Sequence, residues 1–315
     1  MLEEFAAHVT YSLLGLEKGS QFGLSAEFFI YDSIKVTLLL ATVVFIMGAV
    51  RTFVTPDKVK KWLHGKNEGL GNAMAALLGI PIPFCSCSAV PLFMGFVGAG
   101  VPLGITFSFL IASPLINEVA VALLFAMFGW QIALLYIATG FAIATFAGIA
   151  IGRLGLEGEV EKFALKPVKA SKEKMMNWNA RVSFAANESK TITLRVLPYI
   201  LIGIAIGALI HGFAPEDFLL NIAGKGNALA VPIAVLIGIP LYSNAAGMVP
   251  IVGVLISKGM AVGTALAFMM SVIGLSLPEM IILRRVLRPK LLAAFAAILF
   301  IAFVLTGYFF NALLG

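Results

Sequence analysis

The two cysteines of this chain are the residues best suited to chemistry, and a single serine separates them. Cys85 and Cys87 lie in the run Pro83-Phe84-Cys85-Ser86-Cys87-Ser88. In extended backbone, side chains two residues apart point to the same side, so both sulfurs would face one solute. Two sulfurs on one side suit a soft, thiophilic solute, and they equally suit a strained, easily reduced disulfide. The structural alternative is that both cysteines are small buried residues at a helix contact.

A second segment, 159 residues further along, repeats the pattern around the cysteines: Gly79-Ile80-Pro81 returns as Gly238-Ile239-Pro240. Where the first copy has C-x-C, the second has side chains that form hydrogen bonds but do not ligate a soft metal. We therefore predict an asymmetric solute site, sulfur-lined on one wall and polar on the other. Its predicted substrate-binding residues are Cys85, Ser86, Cys87, Tyr242, Ser243 and Asn244.

Both copies interrupt long apolar runs with proline, glycine and small polar residues. Such a break is costly in a membrane, because the freed backbone groups find no water to bond. Transporters place breaks of this kind where two repeats meet around a substrate site. The prolines that mark these two hairpin interruptions are Pro81, Pro83, Pro91, Pro240 and Pro250.

The composition is that of a protein that crosses a membrane several times. The chain has 315 residues, of which 60% are hydrophobic and 12% charged, and its mean hydropathy is +1.01. A soluble domain carries about 25% charged residues. The net charge of +6 is confined to a few loops, so we expect no nucleic-acid partner. A span needs roughly 20 mostly apolar residues. The candidate runs, the first of which needs flanking residues, are 36–50, 102–127, 131–152, 194–210, 261–283 and 291–313.

Three basic segments predict the orientation of the chain. Segments 51–68, 153–195 and 284–290 hold most of the lysines and arginines, and such loops stay in the cytoplasm. Between the first two lie two clean spans and the broken segment 70–99. Because two inside loops require an even number of crossings, the broken segment is predicted to enter and leave on the cytoplasmic side, as a re-entrant hairpin. A broken helix that crosses fully is the alternative, and it would place the most basic loop outside.

The second half repeats this pattern from the opposite face, with a hairpin over 226–258. The predicted fold is an all-α polytopic membrane protein with two inverted-topology repeats, each with three transmembrane helices and one broken or re-entrant helical hairpin. It is predicted to be a multi-pass protein of the inner or plasma membrane, in contact with lipid. The predicted units are an interfacial N-terminal segment, a first transmembrane repeat, a cytoplasmic linker and a second transmembrane repeat: 1–25, 26–153, 154–192 and 193–315.

Two glutamates interrupt the spans that follow the hairpins. Glu118, with Asn117 beside it, is predicted to lie deep in its span and to exchange a proton with solvent. Glu279 precedes Arg284 by five residues, so it is predicted nearer the cytoplasmic interface, where an ion pair is the structural alternative. Acids inside a membrane are expensive and therefore suggest function. The predicted coupling residues are Glu118, Glu279 and Asn117.

Three motifs resemble one known family: Pro83-Phe84-Cys85-Ser86-Cys87-Ser88, Ala112-Ser113-Pro114-Leu115-Ile116-Asn117-Glu118 and Gly274-Leu275-Ser276-Leu277-Pro278-Glu279-Met280. Over about residues 35–310 the chain resembles the UPF0718 (YraQ-like) predicted permease family, a group that includes organoarsenical efflux permeases. The resemblance implies a membrane permease, and the best-known relatives are similar to exporters of trivalent organic arsenicals.

Two functions from different classes compete. The first is a secondary-active permease that moves a small thiophilic or sulfur-containing solute by alternating access around two hairpin tips, coupled to protons. The alternative is a membrane thiol–disulfide oxidoreductase that passes electrons through Cys85 and Cys87 from a thioredoxin-like partner. Against the alternative, Asn244 and Ala246 stand at the equivalent positions of the second copy. A passive channel is a weaker third hypothesis. The C-x-C pair is not a zinc site and no phosphate-binding loop is found, so we expect no metal, cofactor or enzyme activity.

Overall fold

Helices form almost all of the regular structure of this chain. The computed structural model describes residues 2–51, 68–80, 86–98, 100–161, 178–213, 227, 229–241 and 245–314. Across these ranges the β-type pairing consists of isolated bridges, such as that between Val160 and Leu287. The predicted all-α class is therefore confirmed.

In the first half, short helices lie between two long ones. A short π-helix, His8–Leu13, follows the first helix within the predicted interfacial segment. The helices are α1 (Leu2–Ala7), α2 (Gln21–Arg51), α3 (Glu68–Gly79), α4 (Ser86–Gly98), α5 (Leu103–Leu115), α6 (Glu118–Phe128) and α7 (Trp130–Arg153).

The second half has the same succession of long and short helices. They are α8 (Trp178–Phe213), α9 (Ala230–Gly238), α10 (Ala245–Ser257), α11 (Val262–Gly274), α12 (Leu277–Arg284) and α13 (Pro289–Leu314). The helices α10, α11, α12 and α13 each begin 159 residues after α4, α5, α6 and α7. This is the spacing of the two Gly-Ile-Pro segments. The start of α8 lies inside the segment 154–192 that the sequence predicts as a linker.

In each half, the helical segment after the hairpin is broken near its middle. The sequence predicts spans over 102–127 and 261–283; both segments have spanning length in the structure, and each contains a break in its helix. In the first half, α5 and α6 are separated at Ile116–Asn117, and the two parts are bent by 47°. In the second half, α11 and α12 are separated at Leu275–Ser276.

Proline accounts for both breaks. Pro114 in the last turn of α5 lacks an N–H and crowds the preceding turn, and the helix ends one residue later. In the second half, Ser276 has extended backbone (ψ 145°) and Pro278 lies in the first turn of α12. A proline is tolerated there because the first N–H groups of a helix have no partner within the helix. Each proline therefore marks an end or a start of a helix.

The described residues include three helical segments long and apolar enough to cross a membrane: Trp130–Arg153, Val262–Arg284 and Pro289–Leu314. The bent pair of Leu103–Leu115 with Ala120–Phe128 adds a fourth by the same measure. Several apolar helices of spanning length confirm a polytopic membrane protein.

Helices α5 and α11 form the centre of the molecule. Every residue of α5 is buried, and α11 is buried from Gly263 to Gly274. The two helices contact each other. Around α5 lie α3, α4 and α7, and around α11 lie the matching helices α9, α10 and α13. The broken segments are thus enclosed by protein, whereas α7 and α13 leave large apolar side chains such as Phe146 and Leu305 uncovered.

Helices α3 and α5 run side by side in the same direction. Gly71 lies against Ile105, and Gly79 lies against Ala112. Both helices therefore begin at one end of the molecule, and the chain returns to that end through α4. An ion pair of 3.6 Å between Glu68 and Arg153 places the end of α7 there as well. Both side chains are exposed, so the pair adds little stability.

The loops after α7 and α12 meet at this same end, which we call the basic end. Val160 pairs with Leu287, and the Arg288 amide donates to the Glu159 carbonyl at 2.9 Å. Helix α13 starts here and runs to the opposite end. There Val231, in the first turn of α9, lies against Gly307. Helices α9 and α11 thus begin at the end opposite to that of α3 and α5.

Glycine at position 104 allows a close approach between the backbones of α5 and α7. A Cβ added to Gly104 would lie 2.6 Å from the Gly148 carbonyl oxygen of α7. We expect Gly104→Ala to lower the stability by about 1–3 kcal/mol, because two backbones must move apart. Gly158→Ala is the control, since a Cβ there meets nothing within 4 Å. Thermal denaturation in detergent measures both, and equal midpoints for the two variants would contradict this packing.

Candidate functional site at the two helix breaks

Each hairpin ends its first arm beside the break of its own half. Gly79, the last residue of α3, lies so close to α5 that an added Cβ would be 3.1 Å from the Ala112 Cβ. Gly238 of α9 has the equivalent position, 2.9 Å from the Ser271 Cβ. The Leu277 amide, at the start of α12, donates to the Ile239 carbonyl at 2.7 Å. The end of a hairpin arm therefore satisfies a backbone group that the break leaves open.

The two breaks also meet each other. A Cβ added to Gly274 would lie 4.0 Å from the Leu115 Cδ1. Between the breaks is a narrow gap, too small for a water molecule, whose walls include Pro114, Leu115, Gly274, Glu279 and Phe303. The break residues of both halves thus line one enclosed, mostly apolar space.

Glu279 is the acid of this gap. Its side chain is 3% exposed, and it lies in the first turn of α12. Ser276 holds the N-cap position of this helix without a side-chain capping hydrogen bond, and the segment has the S-x-x-E sequence pattern of a helix start. The positive end of the helix dipole stabilises a negative charge at this position. The sequence predicts Glu279 nearer the cytoplasmic interface, and in the structure its side chain is buried within the protein beside the gap.

Glu118 lies at the other break, but it faces outward. It is the first residue of α6, and its side chain is exposed. The repeat offset pairs Glu118 with Leu277, which is 37% exposed, and pairs Glu279 with Ala120, which is fully buried. The two acids occupy the first and the third helical positions, about 200° apart around a helix. The enclosed acid of the structure is therefore Glu279, and Asn117 beside Glu118 is half-buried.

Tyr136 on α7 is a residue that the sequence analysis missed. Its side chain is fully buried, and its hydroxyl donates to the Leu115 carbonyl at 2.9 Å. Leu115 ends α5, where helix carbonyls lack partners within the helix. The equivalent residue in the second half is Phe295, which has no hydroxyl. A tyrosine at a position where the repeat has phenylalanine is the signal that could have identified it.

Further polar groups are enclosed in the first half. Ser113 is fully buried beside Gly79, and among the described residues its hydroxyl has no hydrogen-bond partner. Asn72 on α3 donates to the Ser108 hydroxyl at 2.9 Å. The second half has Val231 and Ala267 at the positions of Asn72 and Ser108. The second half has polar groups of its own: Ser271 donates to the Val235 carbonyl at 2.6 Å, and the first half has Ala112 at that position. The enclosed polar groups of the two halves therefore differ in position.

The structure places only some of the residues that the sequence predicts for the site. Ser86 and Cys87 open α4, and Pro91 lies within it. Pro240 follows the end of α9, and Pro250 lies within α10 with an exposed side chain. Outside the described residues lie Pro81, Pro83, Cys85, Tyr242, Ser243 and Asn244. In the part of the chain that the structure describes, no three side chains of His, Cys, Asp or Glu come together as a metal site.

A family model described as a predicted permease, ArsP_1, matches residues 21–312. The chain belongs to this predicted permease family. The resemblance to UPF0718 proteins is therefore confirmed, and a membrane permease is what family membership supports. The family gives no support to the oxidoreductase alternative.

Curated relatives agree with this assignment. The UPF0718 protein MJ0584 of Methanocaldococcus jannaschii is 24% identical over 89% of this chain and 93% of its own length. The UPF0718 protein YraQ of Escherichia coli is 24% identical, over 83% of this chain and 74% of its own. A Streptococcus mutans protein, named provisionally as a subunit of a two-component membrane permease complex, is 24% identical over 60% of this chain and 63% of its own. No solved structure matches the chain.

We expect Tyr136→Phe to destabilise the protein by about 1–2 kcal/mol, because a buried carbonyl at the end of α5 loses its donor. Phenylalanine fits the same space, as Phe295 does in the second half. Thr139→Val is a control on the same helix, since its hydroxyl bonds the Leu135 carbonyl within α7. In thermal denaturation in detergent, Tyr136→Phe should lower the midpoint clearly more than Thr139→Val does. A reversed order would show that the hydroxyl does not support the break.

Proposed function

We propose that this permease is a secondary-active transporter that moves a small thiophilic or sulfur-containing solute by alternating access at the two helix breaks. The observation that carries the proposal is the meeting of both breaks around a closed gap lined by Glu279. Substrate sites of transporters lie near the bilayer midplane, where discontinuous helices of two repeats meet. A gap that admits no water corresponds to a closed state between the two open ones.

We propose further that the halves are inverted-topology repeats. Four pairs of matching helices, from α4 with α10 to α7 with α13, start 159 residues apart. Helices α3 and α5 begin at the basic end, while α9 and α11 begin at the opposite end. Contacts between the halves are reciprocal: α6 packs on α10, and α12 packs on α4. Alternating access in such folds is a rocking of one repeat against the other. The hairpins would then be re-entrant, and the basic end would be cytoplasmic by its charge.

The solute chemistry is proposed from the residues at the first hairpin. Cys87 lies in the first turn of α4, and Cys85 directly precedes this helix in the sequence. A helix N-terminus stabilises negative charge, and sulfur ligates soft elements. The first turn of α4 contains no acid, so this charge preference is open to a solute. Efflux of organoarsenical compounds fits this chemistry, with Tyr242, Ser243 and Asn244 as the polar wall.

Glu279 is proposed as the coupling group. Acids within membrane segments are rare and mark ion pathways and proton relays, and Glu279 lies at the gap where both breaks meet. Glu118 is uncovered by protein at its break. A charge at that depth is tolerated where water reaches it, so we propose that Glu118, with Asn117, lines an aqueous opening.

One relative suggests a protein partner. The Streptococcus mutans protein is named as a subunit of a two-component membrane permease complex. We propose that this chain likewise functions beside a second subunit in the plasma membrane.

Flux measurements in everted vesicles test the solute. With phenylarsenite as a representative trivalent organic arsenical, we expect Cys85→Ser with Cys87→Ser to reduce uptake at least about tenfold, because oxygen binds soft elements weakly. Ser257→Ala, on an exposed serine whose hydroxyl bonds its own helix, is the control. Unchanged uptake in the double variant would remove the thiols from the mechanism.

The same vesicles test the coupling acid. We expect Glu279→Gln to abolish the stimulation of uptake by a pH gradient, because an amide cannot gain or lose the proton. Glu118→Gln should retain that stimulation, since its side chain lies outside the gap. Measurement of uptake with and without an imposed gradient separates the two. If Glu118→Gln loses the stimulation by the pH gradient and Glu279→Gln retains it, the coupling acid is Glu118 and the proposal for Glu279 is wrong.

A further inference from the structure

A groove of about 550 Å³ lies between α2 and α8, away from the breaks. It shares no lining residue with the gap at Glu279. Its rim includes exposed Lys190, Thr42 and Leu194, and its floor includes buried Ser189 and Thr193. The volume is that of a site for a small organic molecule.

Polar and apolar groups are separated within this groove. Lys190, Thr42 and Thr193 supply an ammonium and two hydroxyls, while Phe45 and Leu194 supply an apolar strip. Thr193 is 8% exposed, and its hydroxyl has no hydrogen-bond partner among the described residues. Ser189 instead donates to the Ala41 carbonyl at 2.7 Å and so joins the two helices. A buried hydroxyl without a partner is costly unless a ligand supplies one.

The charge of the groove differs from that of the equivalent face in the first half. The repeat offset places Glu27, Tyr31 and Lys35 of α2 at the positions of Ala186, Lys190 and Leu194. Tyr31 accepts a hydrogen bond from Lys35 at 3.1 Å, so that lysine has a partner within its own helix. Among the described residues that line the groove, the charged side chain is Lys190 of α8, on the segment whose charges indicate the cytoplasmic side.

We infer that this groove binds an anionic phospholipid of the cytoplasmic leaflet, with its phosphate at Lys190 and Thr193 and an acyl chain along Phe45 and Leu194. A phosphate has only acceptor oxygens at its charged positions, which matches an ammonium and hydroxyl donors. Anionic lipids are concentrated where juxtamembrane lysines lie. Lysine reaches the headgroup level by extending along apolar surface. The inference does not depend on what the permease transports.

The test measures thermal stabilisation of the delipidated protein in detergent by added lipid. We expect phosphatidylglycerol to raise the midpoint more than phosphatidylcholine does. Lys190→Gln should weaken apparent phosphatidylglycerol binding about fivefold, the effect of one interfacial charge. Thr193→Val should weaken it about two- to threefold by loss of one hydroxyl. Lys290→Gln, an exposed lysine at the basic end, is the matched control and should retain full binding.

Three outcomes would overturn the inference. The first is equal stabilisation of the unaltered protein by the two lipids. The second is full phosphatidylglycerol preference in Lys190→Gln, which would place the lipid elsewhere. The third is stabilisation by inorganic phosphate as strong as that by phosphatidylglycerol, which would indicate a site for a free anion.

Discussion

A helix broken inside an apolar environment must find new partners for its freed backbone groups, and the rest of this structure follows from that constraint. Water cannot supply those partners in a bilayer, so protein must. Each break is accordingly enclosed by a hairpin arm of its own half, and in the second half the Ile239 carbonyl accepts from the Leu277 amide. In the first half the Tyr136 hydroxyl serves the Leu115 carbonyl. Complete burial of α5 and near-complete burial of α11 are the consequence, because a broken helix facing lipid would leave these groups open.

The two halves solve the same problem with different side chains. The close contacts of Gly79, Gly104 and Gly148 recur at Gly238, Gly263 and Gly307, so the two halves share these close approaches between helices. Their buried polar groups differ. Val231 and Ala267 occupy the positions of the hydrogen-bonded Asn72 and Ser108. Phe295 occupies the position of Tyr136. A shared backbone with unequal side chains is suited to binding one solute in one orientation.

Part of this was predictable from residue patterns. Charge and hydropathy indicated the all-α membrane class, and the Gly-Ile-Pro spacing anticipated the common offset of helix starts. The breaks within 102–127 and 261–283 were missed, because hydropathy counts apolar residues and does not register where backbone hydrogen bonds stop. Pro114 and Pro278 were the local signals. The different burial of Glu118 and Glu279 was missed because the two acids were treated as counterparts in similar motifs. At the repeat offset, Glu118 and Glu279 stand two positions apart. Two positions turn a side chain to the other face of a helix.

The position of Glu279 relates the structure of the breaks to the proposed coupling. Two surroundings act on its carboxyl: the apolar lining that includes Pro114, Leu115 and Phe303, and the first turn of α12, whose dipole favours negative charge. The second effect depends on α12 remaining aligned with the side chain. The first depends on the gap remaining closed. A rocking motion that separates the breaks would change both at once, because the gap is bounded by α5 of one half and α12 of the other. In the proposed transport cycle, protonation of Glu279 and opening of the gap would therefore be linked by geometry.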